Sequence, residues 1–270
     1  MMDGIPMPLL GFGTYGRRGA AGVAAIGLAL KTGYRHLDTA QDYGTEAEVG
    51  QAVRESGLPR DQVYVTTKVA TTNLAANRVI TSLEESLVTL GIGQIDLALI
   101  HWPAPNGALA PEVYLTALKT AQDMGLCRDI GVSNFTIALI DRAEKLLGRG
   151  AISCNQIELN PLFKNCRIAG HCGARGIKVT CYLPIARGRL SANPVIARIA
   201  TQHGVTGEQI GLAWEWAKGY AAIPTSSQAD RIVAGFAAQK VRLGSDDIAA
   251  IDAIPDEARV IAPAWGPVWD

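Results

Sequence analysis

The sequence predicts an α/β protein: one closed barrel of eight parallel strands with helices outside, a (β/α)8 or TIM barrel forming a single domain over residues 1–270. Three observations predict it. Short runs rich in Val, Ile and Leu recur eight times along the 270 residues. Segments of helical period separate them, the alternation expected of parallel strands whose crossovers pack on the outside of a sheet. No linker or low-complexity stretch interrupts the series, and 270 residues suits one such barrel better than other single domains. An open sheet shares the alternation, so the count of eight decides.

The elements follow in order. Residues 9–12 form a first strand; Val23, Ile26 and Leu30 then share a helical face, and Gly33 stops that helix. Residues 34–38 are the second strand, 45–56 a helix and 62–68 the third strand. Ile80, Leu83, Leu87 and Leu90 mark the apolar face of a helix ending at Gly91. Residues 94–101 are strand four and 111–124 its helix. Strands over 127–132 and 152–159 flank a helix at 136–147, and strands over 177–182 and 220–223 complete the set. Between the last two lie helices at 194–203 and 206–218, the second opened by a capping-box pair, Thr206 with Gln209. Trp214 and Trp216 belong to that helix and are expected to pack it on the barrel. A helix at 229–236 closes the last unit and another covers 245–253. The tail, 255–270, carries Pro255, Pro263 and Pro267, cannot be helical throughout, and is expected near the active-site mouth.

Bulk composition excludes several classes. The 25 basic and 25 acidic side chains cancel, so no nucleic-acid or membrane-surface partner is expected, and an anionic ligand must be held locally. The N-terminus lacks a basic segment followed by a long apolar run, and the apolar run at 20–30 is short and broken by glycines. Five cysteines (Cys127, Cys154, Cys166, Cys172, Cys181) show no CxxC spacing. A reduced, cytoplasmic protein is expected. His171, Cys172 and Cys166 are too few for a structural metal centre, so no metal is expected. His36 reads as a satisfied interior residue.

Gly11-Phe12-Gly13-Thr14-Tyr15-Gly16 matches G-x-G-x-x-G, and Asp38 follows about 20 residues later, as in a dinucleotide-binding fingerprint. A lone dinucleotide-binding unit does not run on to eight β–α repeats, and Asp38 has a better role. Asp38 and Tyr43 follow strand two, Lys68 ends strand three and His101 ends strand four. In a barrel these strand ends converge on one mouth. Together they suit carbonyl reduction. No side chain donates hydride, so a nicotinamide must. A phenol has a pKa of about 10, which a nearby ammonium lowers. Lys68 is expected to acidify Tyr43, Asp38 to hold Lys68, and His101 to donate a hydrogen bond to the substrate oxygen. Tyr43 would then act as general acid, without a metal.

These motifs resemble the aldo-keto reductases. Leu37-Asp38-Thr39-Ala40-Gln41-Asp42-Tyr43-Gly44, Thr66-Thr67-Lys68, Leu99-Ile100-His101-Trp102-Pro103, Ile130-Gly131-Val132-Ser133-Asn134-Phe135, Asn155-Gln156-Ile157-Glu158 and Ile223-Pro224-Thr225-Ser226 carry the resemblance, in family order, from about residue 10 to residue 253. Within the family the chain looks most like the bacterial 2,5-diketo-D-gluconate reductases of B type, through His101-Trp102-Pro103, the short loops and the ending Trp269-Asp270. The resemblance implies a catalytic tetrad of Asp38, Tyr43, Lys68 and His101, acting on small aldehydes and ketones such as 2-keto sugar acids or methylglyoxal. It implies nicotinamide contacts from Ser133, Asn134, Gln156 and a stacking Tyr182, with Gly13, Thr14, Tyr15 and Asp38 beside the ring. It implies a pyrophosphate loop at Leu183, Pro184, Arg187 and Gly188, and an adenosine-phosphate segment at Ile223, Pro224, Thr225, Ser226 and Arg231. Tyr43, His101 and Trp102 would contact substrate, and the resemblance implies a monomer.

Two departures bear on specificity. Many NADPH-preferring members have Lys at the position of Thr225 and Glu-Asn at Ala234-Gly235. Arg231 with the Thr225 and Ser226 hydroxyls remains to bind a 2′-phosphate, so NADPH is expected, with NADH or dual use as the alternative. Ala70 stands where relatives often have Trp, which widens that wall; Trp102, Trp265 and Trp269 are the other candidate wall residues. Two competing functions are a nicotinamide-sensing regulatory barrel with weak catalysis and a phosphate-handling barrel isomerase.

Overall fold

Every strand pairs in parallel with the next one in the chain, giving the sheet order β1 to β8 without a crossover. The computed structural model describes residues 5–270, so the first four residues of the N-terminal stretch read above lie outside the described residues. The strands are β1 (Phe12–Gly13), β2 (His36–Asp38), β3 (Tyr64–Val69), β4 (Ile95–Ile100), β5 (Cys127–Ser133), β6 (Cys154–Glu158), β7 (Lys178–Tyr182) and β8 (Ala221–Ala222). The sheet closes on itself: Leu10 bridges Ala222 in parallel, Gly11 N–H donates to the Ala222 carbonyl at 2.9 Å and Ala222 N–H to the Leu9 carbonyl at 2.8 Å. Closure leaves no sheet edge and turns all the strand ends that carry candidate chemistry toward one mouth.

The helices are α1 (Gly19–Thr32), α2 (Glu46–Glu55), α3 (Ala76–Leu90), α4 (Pro111–Asp123), α5 (Ile137–Leu147), α6 (Cys166–Gly173), α7 (Pro194–His203), α8 (Gly207–Ala217), α9 (Ala229–Ala237) and α10 (Ser245–Asp252). Their ends follow the sequence signals. Thr206 and Gln209 form both halves of the capping box on α8, and Asn193 caps α7 through Val195 and Ile196 N–H. Gly91 ends α3 in the left-handed region at φ 62°. Trp214 is buried and its indole N–H donates to Asp252 at 2.8 Å, tying α8 to α10.

The main core lies between strands and helices, with Ile26 and Leu30 of α1 and Leu83 and Leu90 of α3 buried in it. A second cluster, Tyr64, Leu97, Leu99, Cys154 and Ala221 with Met7 from the N-terminal segment, fills the barrel interior below the site.

Two elements differ from expectation. The first strand is shifted to Phe12–Gly13, while Leu10 pairs only through the closing bridge. The cause is close packing: a Cβ at Gly11 would sit 2.8 Å from both His36 Nδ1 and Ile223 Cγ2, and one at Gly13 2.9 Å from the Ile223 carbonyl. These glycines of the G-x-G-x-x-G run therefore let β1 approach β2 and the segment after β8. Helix α6 is absent from the sequence reading. Its eight residues include Gly170 and Gly173, so local propensity is poor, and docking of Ile168, Ala169 and Cys172 into the core sustains it.

The tail runs over the ends of β4 to β6. Glu257 N–H donates to the Leu162 carbonyl at 2.7 Å, and Val260 and Ile261 N–H each donate to the buried Glu158 carboxylate at 2.8 Å. Asn106 N–H donates to the Trp265 carbonyl at 2.9 Å, and the Asp270 carboxylate accepts from Ile137 N–H at 2.8 Å at the start of α5. Among the described residues no helix is long and apolar enough to cross a membrane.

Candidate active site

Lys68 projects from β3 into the barrel and is fully buried, as is Asp38 at the end of β2. The ammonium lies 2.5 Å from Asp38 Oδ1, donates to the Thr39 carbonyl at 2.9 Å and reaches the Tyr43 hydroxyl at 3.4 Å. The second Asp38 oxygen accepts from Gln156 Nε2 at 2.7 Å, so the carboxylate is held from both sides. Burial alone would push the Lys68 ammonium toward neutrality; Asp38 and Tyr43 more than offset it and hold its pKa above the ordinary lysine value. Tyr43 ends a single 3-10 turn, Gln41–Tyr43, and Arg18 fixes that turn by donating to the Tyr43 carbonyl at 2.7 Å.

The expected acidification of Tyr43 is not the net result. Burial raises the phenol pKa, the Lys68 charge pulls it down, and burial wins, so the pKa lies above 10. The physical reason is that the same enclosure that strengthens the Lys68 field also strips water from the phenolate. Tyr43 therefore stands protonated at neutral pH.

His101 lies just past β4, its ring edge-on to Tyr43 with centroids 5.5 Å apart. Its Nδ1 is 3.0 Å from Asp42 Oδ2. Burial lowers the His101 pKa below 6.5; the Asp42 bond opposes this and Lys68 adds to it. Behind these groups, Tyr182 at the end of β7 donates to Asn134 Oδ1 at 2.8 Å, and Asn134 Nδ2 donates to the His101 carbonyl at 3.1 Å and to Ser133 Oγ at 3.0 Å. Asn134 takes the left-handed conformation at φ 62°, which its short polar side chain tolerates. Asp38, Tyr43, Lys68, His101, Ser133, Asn134, Gln156 and Tyr182 are thus one connected network.

Thr14 is buried, with its hydroxyl 3.0 Å from both the Asp38 carbonyl and Thr45 Oγ1, so its side chain is engaged in packing. Tyr15 is exposed and stands edge-on to Tyr43 at 5.2 Å. Gly13 N–H donates to the Pro224 carbonyl at 2.9 Å.

Six residues of the second expected group line a cleft of about 840 Å³ between the segments after β7 and β8 and helices α8 and α9, while Leu183, Pro184 and Ile223 are not in its walls. Arg187, Gly188, Pro224, Thr225, Ser226 and Arg231 are in its walls; none of the tetrad is. The loop after β7 joins the two regions, and Leu183, Ala186 and Arg187 in it all adopt positive φ, 50°, 46° and 58°. Such strained non-glycine residues cluster where a loop is shaped for a ligand. The two arginines and the hydroxyls of this cleft, with Tyr182 at the start of the loop that leads into it, are groups that could hold an anionic cofactor. The cleft also includes Ser191, Thr206, Glu208 and Gln209, which the sequence analysis treated as helix-capping or not at all.

Three further residues were given no role in the sequence reading: Asp42 against His101, Glu158 beneath the tail, and Arg259. The Arg259 guanidinium packs 3.5 Å from the Trp269 ring centroid and 4.8 Å from that of Phe163, and its Nη1 is buried without a hydrogen-bond partner. Trp102, buried, stands edge-on to Trp265 and Trp269 at 5.3 and 6.1 Å. Ala70 is buried and its N–H donates to Gln41 Oε1 at 2.9 Å.

The family model for the aldo/keto reductase family matches residues 10–256. The chain is 41% identical over 265 residues to a methylglyoxal reductase, DkgB, of Salmonella typhimurium, covering 98% of this chain and 99% of that protein. A solved structure provisionally designated 2,5-diketo-D-gluconic acid reductase B superposes with a TM-score of 0.93 at 33% identity, over 98% of this chain and 94% of the other. A Bombyx mori aldo-keto reductase solved in complex with NADP gives 0.86 at 31% identity, over 97% and 93% of the two chains. The match spans the barrel and every strand end that builds the site: the chain belongs to the aldo/keto reductase family.

Proposed function

We propose that the protein reduces small carbonyl compounds, methylglyoxal-like aldehydes and 2-keto sugar acids, to alcohols with NADPH, Tyr43 being the general acid. The observation that carries this reading is the Lys68 ammonium, buried between Asp38 at 2.5 Å and the Tyr43 hydroxyl at 3.4 Å. The relatives named as methylglyoxal and diketogluconate reductases support the substrate class, and the NADP-bound relative supports the cofactor. Bound NADPH supplies hydride to the carbonyl carbon.

The protein's own groups supply the rest. Tyr43 is held protonated by its surroundings and gives its hydroxyl proton to the carbonyl oxygen as negative charge develops there. The phenolate so formed is stabilised by Lys68, which Asp38 and the Thr39 carbonyl keep in place. Asn134, fixed by Tyr182 and Ser133, and Gln156 would hold the nicotinamide end. Arg187, Thr225, Ser226 and Arg231, which line one cleft, would hold the phosphates, Arg231 forking onto a 2′-phosphate.

The test is a carbonyl panel assayed in parallel with NADPH and NADH. NADPH consumption with methylglyoxal is expected, and Tyr43→Phe should lose about 10²–10⁴-fold in turnover while quenching of protein fluorescence by NADPH persists. Turnover of Tyr43→Phe at the wild-type rate would end this reading.

A further inference from the structure

Asp42 directly precedes the general acid, yet its side chain turns to His101, 59 residues along the chain, with Oδ2 at 3.0 Å from Nδ1. A carboxylate only accepts hydrogen bonds, so Nδ1 carries the hydrogen. A neutral imidazole has a single N–H, so its Nε2 is then bare, an acceptor. The ring's one hydrogen bond among the described residues is the one at Nδ1, so Nε2 is the nitrogen left to meet substrate. The ring is held in this setting by its backbone: His101 N–H donates to the Val69 carbonyl at 3.1 Å, and its carbonyl accepts from Asn134.

We propose that Asp42 is a positioning residue that fixes the tautomer of His101, so that neutral His101 accepts a hydrogen bond from an alcohol and only the imidazolium donates one to a carbonyl oxygen. The inference rests on the reductase reading above. It reverses the simple role of a neutral donor histidine, because a neutral ring bonded to Asp42 has no hydrogen at Nε2. Around His101, Asp42 and Asp38 favour the imidazolium, while burial and Lys68 oppose it. Tyr43 is the other titratable neighbour, across the ring edge. Burial prevails and places the His101 titration below the ordinary 6.5. The hydrogen bond from His101 therefore serves reduction on the acid side and is lost as pH rises.

Nitrogen-15 spectra of uniformly labelled protein read the tautomer directly. The chain has four histidines, and comparison with His101→Gln assigns the His101 signals. Above its titration, His101 is expected to show a protonated Nδ1 and a bare Nε2. In Asp42→Leu the proton should move to Nε2; Asp42 is 45% exposed, so this replacement empties no core position. In kinetics, kcat/KM for reduction by wild-type protein should fall about tenfold, the worth of one hydrogen bond, as pH rises through the His101 titration. Asp42→Leu should lack that fall. A wild-type neutral His101 protonated at Nε2 would overturn the proposal, as would identical pH profiles for the two proteins. The spectra require no turnover, so this result is separable from failure of the reductase reading, which Tyr43→Phe decides.

Discussion

Replacing Lys68 by Met removes the charge on which the site is built while keeping an unbranched side chain in the barrel. The ammonium and the Asp38 carboxylate are 0% and 1% exposed and lie 2.5 Å apart. After Lys68→Met, Asp38 keeps the Gln156 amide at 2.7 Å but has no counter-charge in a site sealed from water. Breaking one half of such a pair costs about 3–5 kcal/mol. Unfolding entropy of about 2.1 cal/mol/K per residue converts this, for a chain of this length, into a fall in Tm of about 5–9 °C. Asp38→Asn added to Lys68→Met removes the stranded charge, and the amide oxygen still accepts from Gln156, so most of the lost Tm should return. Turnover should not return, because no ammonium then faces the Tyr43 hydroxyl. Circular-dichroism melts and NADPH consumption measure the two effects on the same samples. The reasoning fails if Lys68→Met melts with the wild type, or if the double variant melts as low as the single one.

Two further perturbations test packing and burial. Glu215 of α8 is fully buried, neither carboxylate oxygen has a partner among the described residues, and burial pushes its pKa well above 4.5. The folded state retains a proton that the unfolded chain releases above about pH 4.5, so stability falls with rising pH by about 1.4 kcal/mol per unit. Glu215→Gln should match the wild type near pH 4.5 and become progressively more stable than it as pH rises above that, read from urea unfolding at about pH 4.5 and pH 7; parallel pH dependences would contradict this account. Gly11→Ala drives a methyl to 2.8 Å from His36 and Ile223, and should lose about 1–3 kcal/mol in the same assay. A fully stable variant would show that the barrel seam has room to spare.

Asp38, Lys68 and His101 were legible because each stands at or beside the end of an apolar run, and a count of eight such runs brings their ends together. The capping box at Thr206 and Gln209, the stop at Gly91 and the helices at 194–203 and 111–124 were legible for a local reason: three- and four-residue spacing sets them. Helix α6 was not, because its glycines deny it local propensity and only docking of three residues holds it. Nor were Asp42, Glu158 and Arg259. Their partners are His101, the backbone of Val260 and Ile261, and the rings of Trp269 and Phe163, and no periodicity announces a partner in another loop. The glycine run at 11–16 misleads for a related reason: its spacing is that of a phosphate loop, while its use is contact with His36 and Ile223.

The sequence by itself determined the barrel, the order of its units and the set of side chains carried to the mouth, since these follow from apolar period and from which residue ends each strand. Only the tertiary structure decided the protonation of that set. Whether Tyr43 is acidified or held as an acid, and whether His101 gives or takes a hydrogen, depends on burial and on neighbours a few ångströms away. Those quantities arise when distant segments pack, because the cost of a charge is set by the water excluded around it and by the charge left beside it.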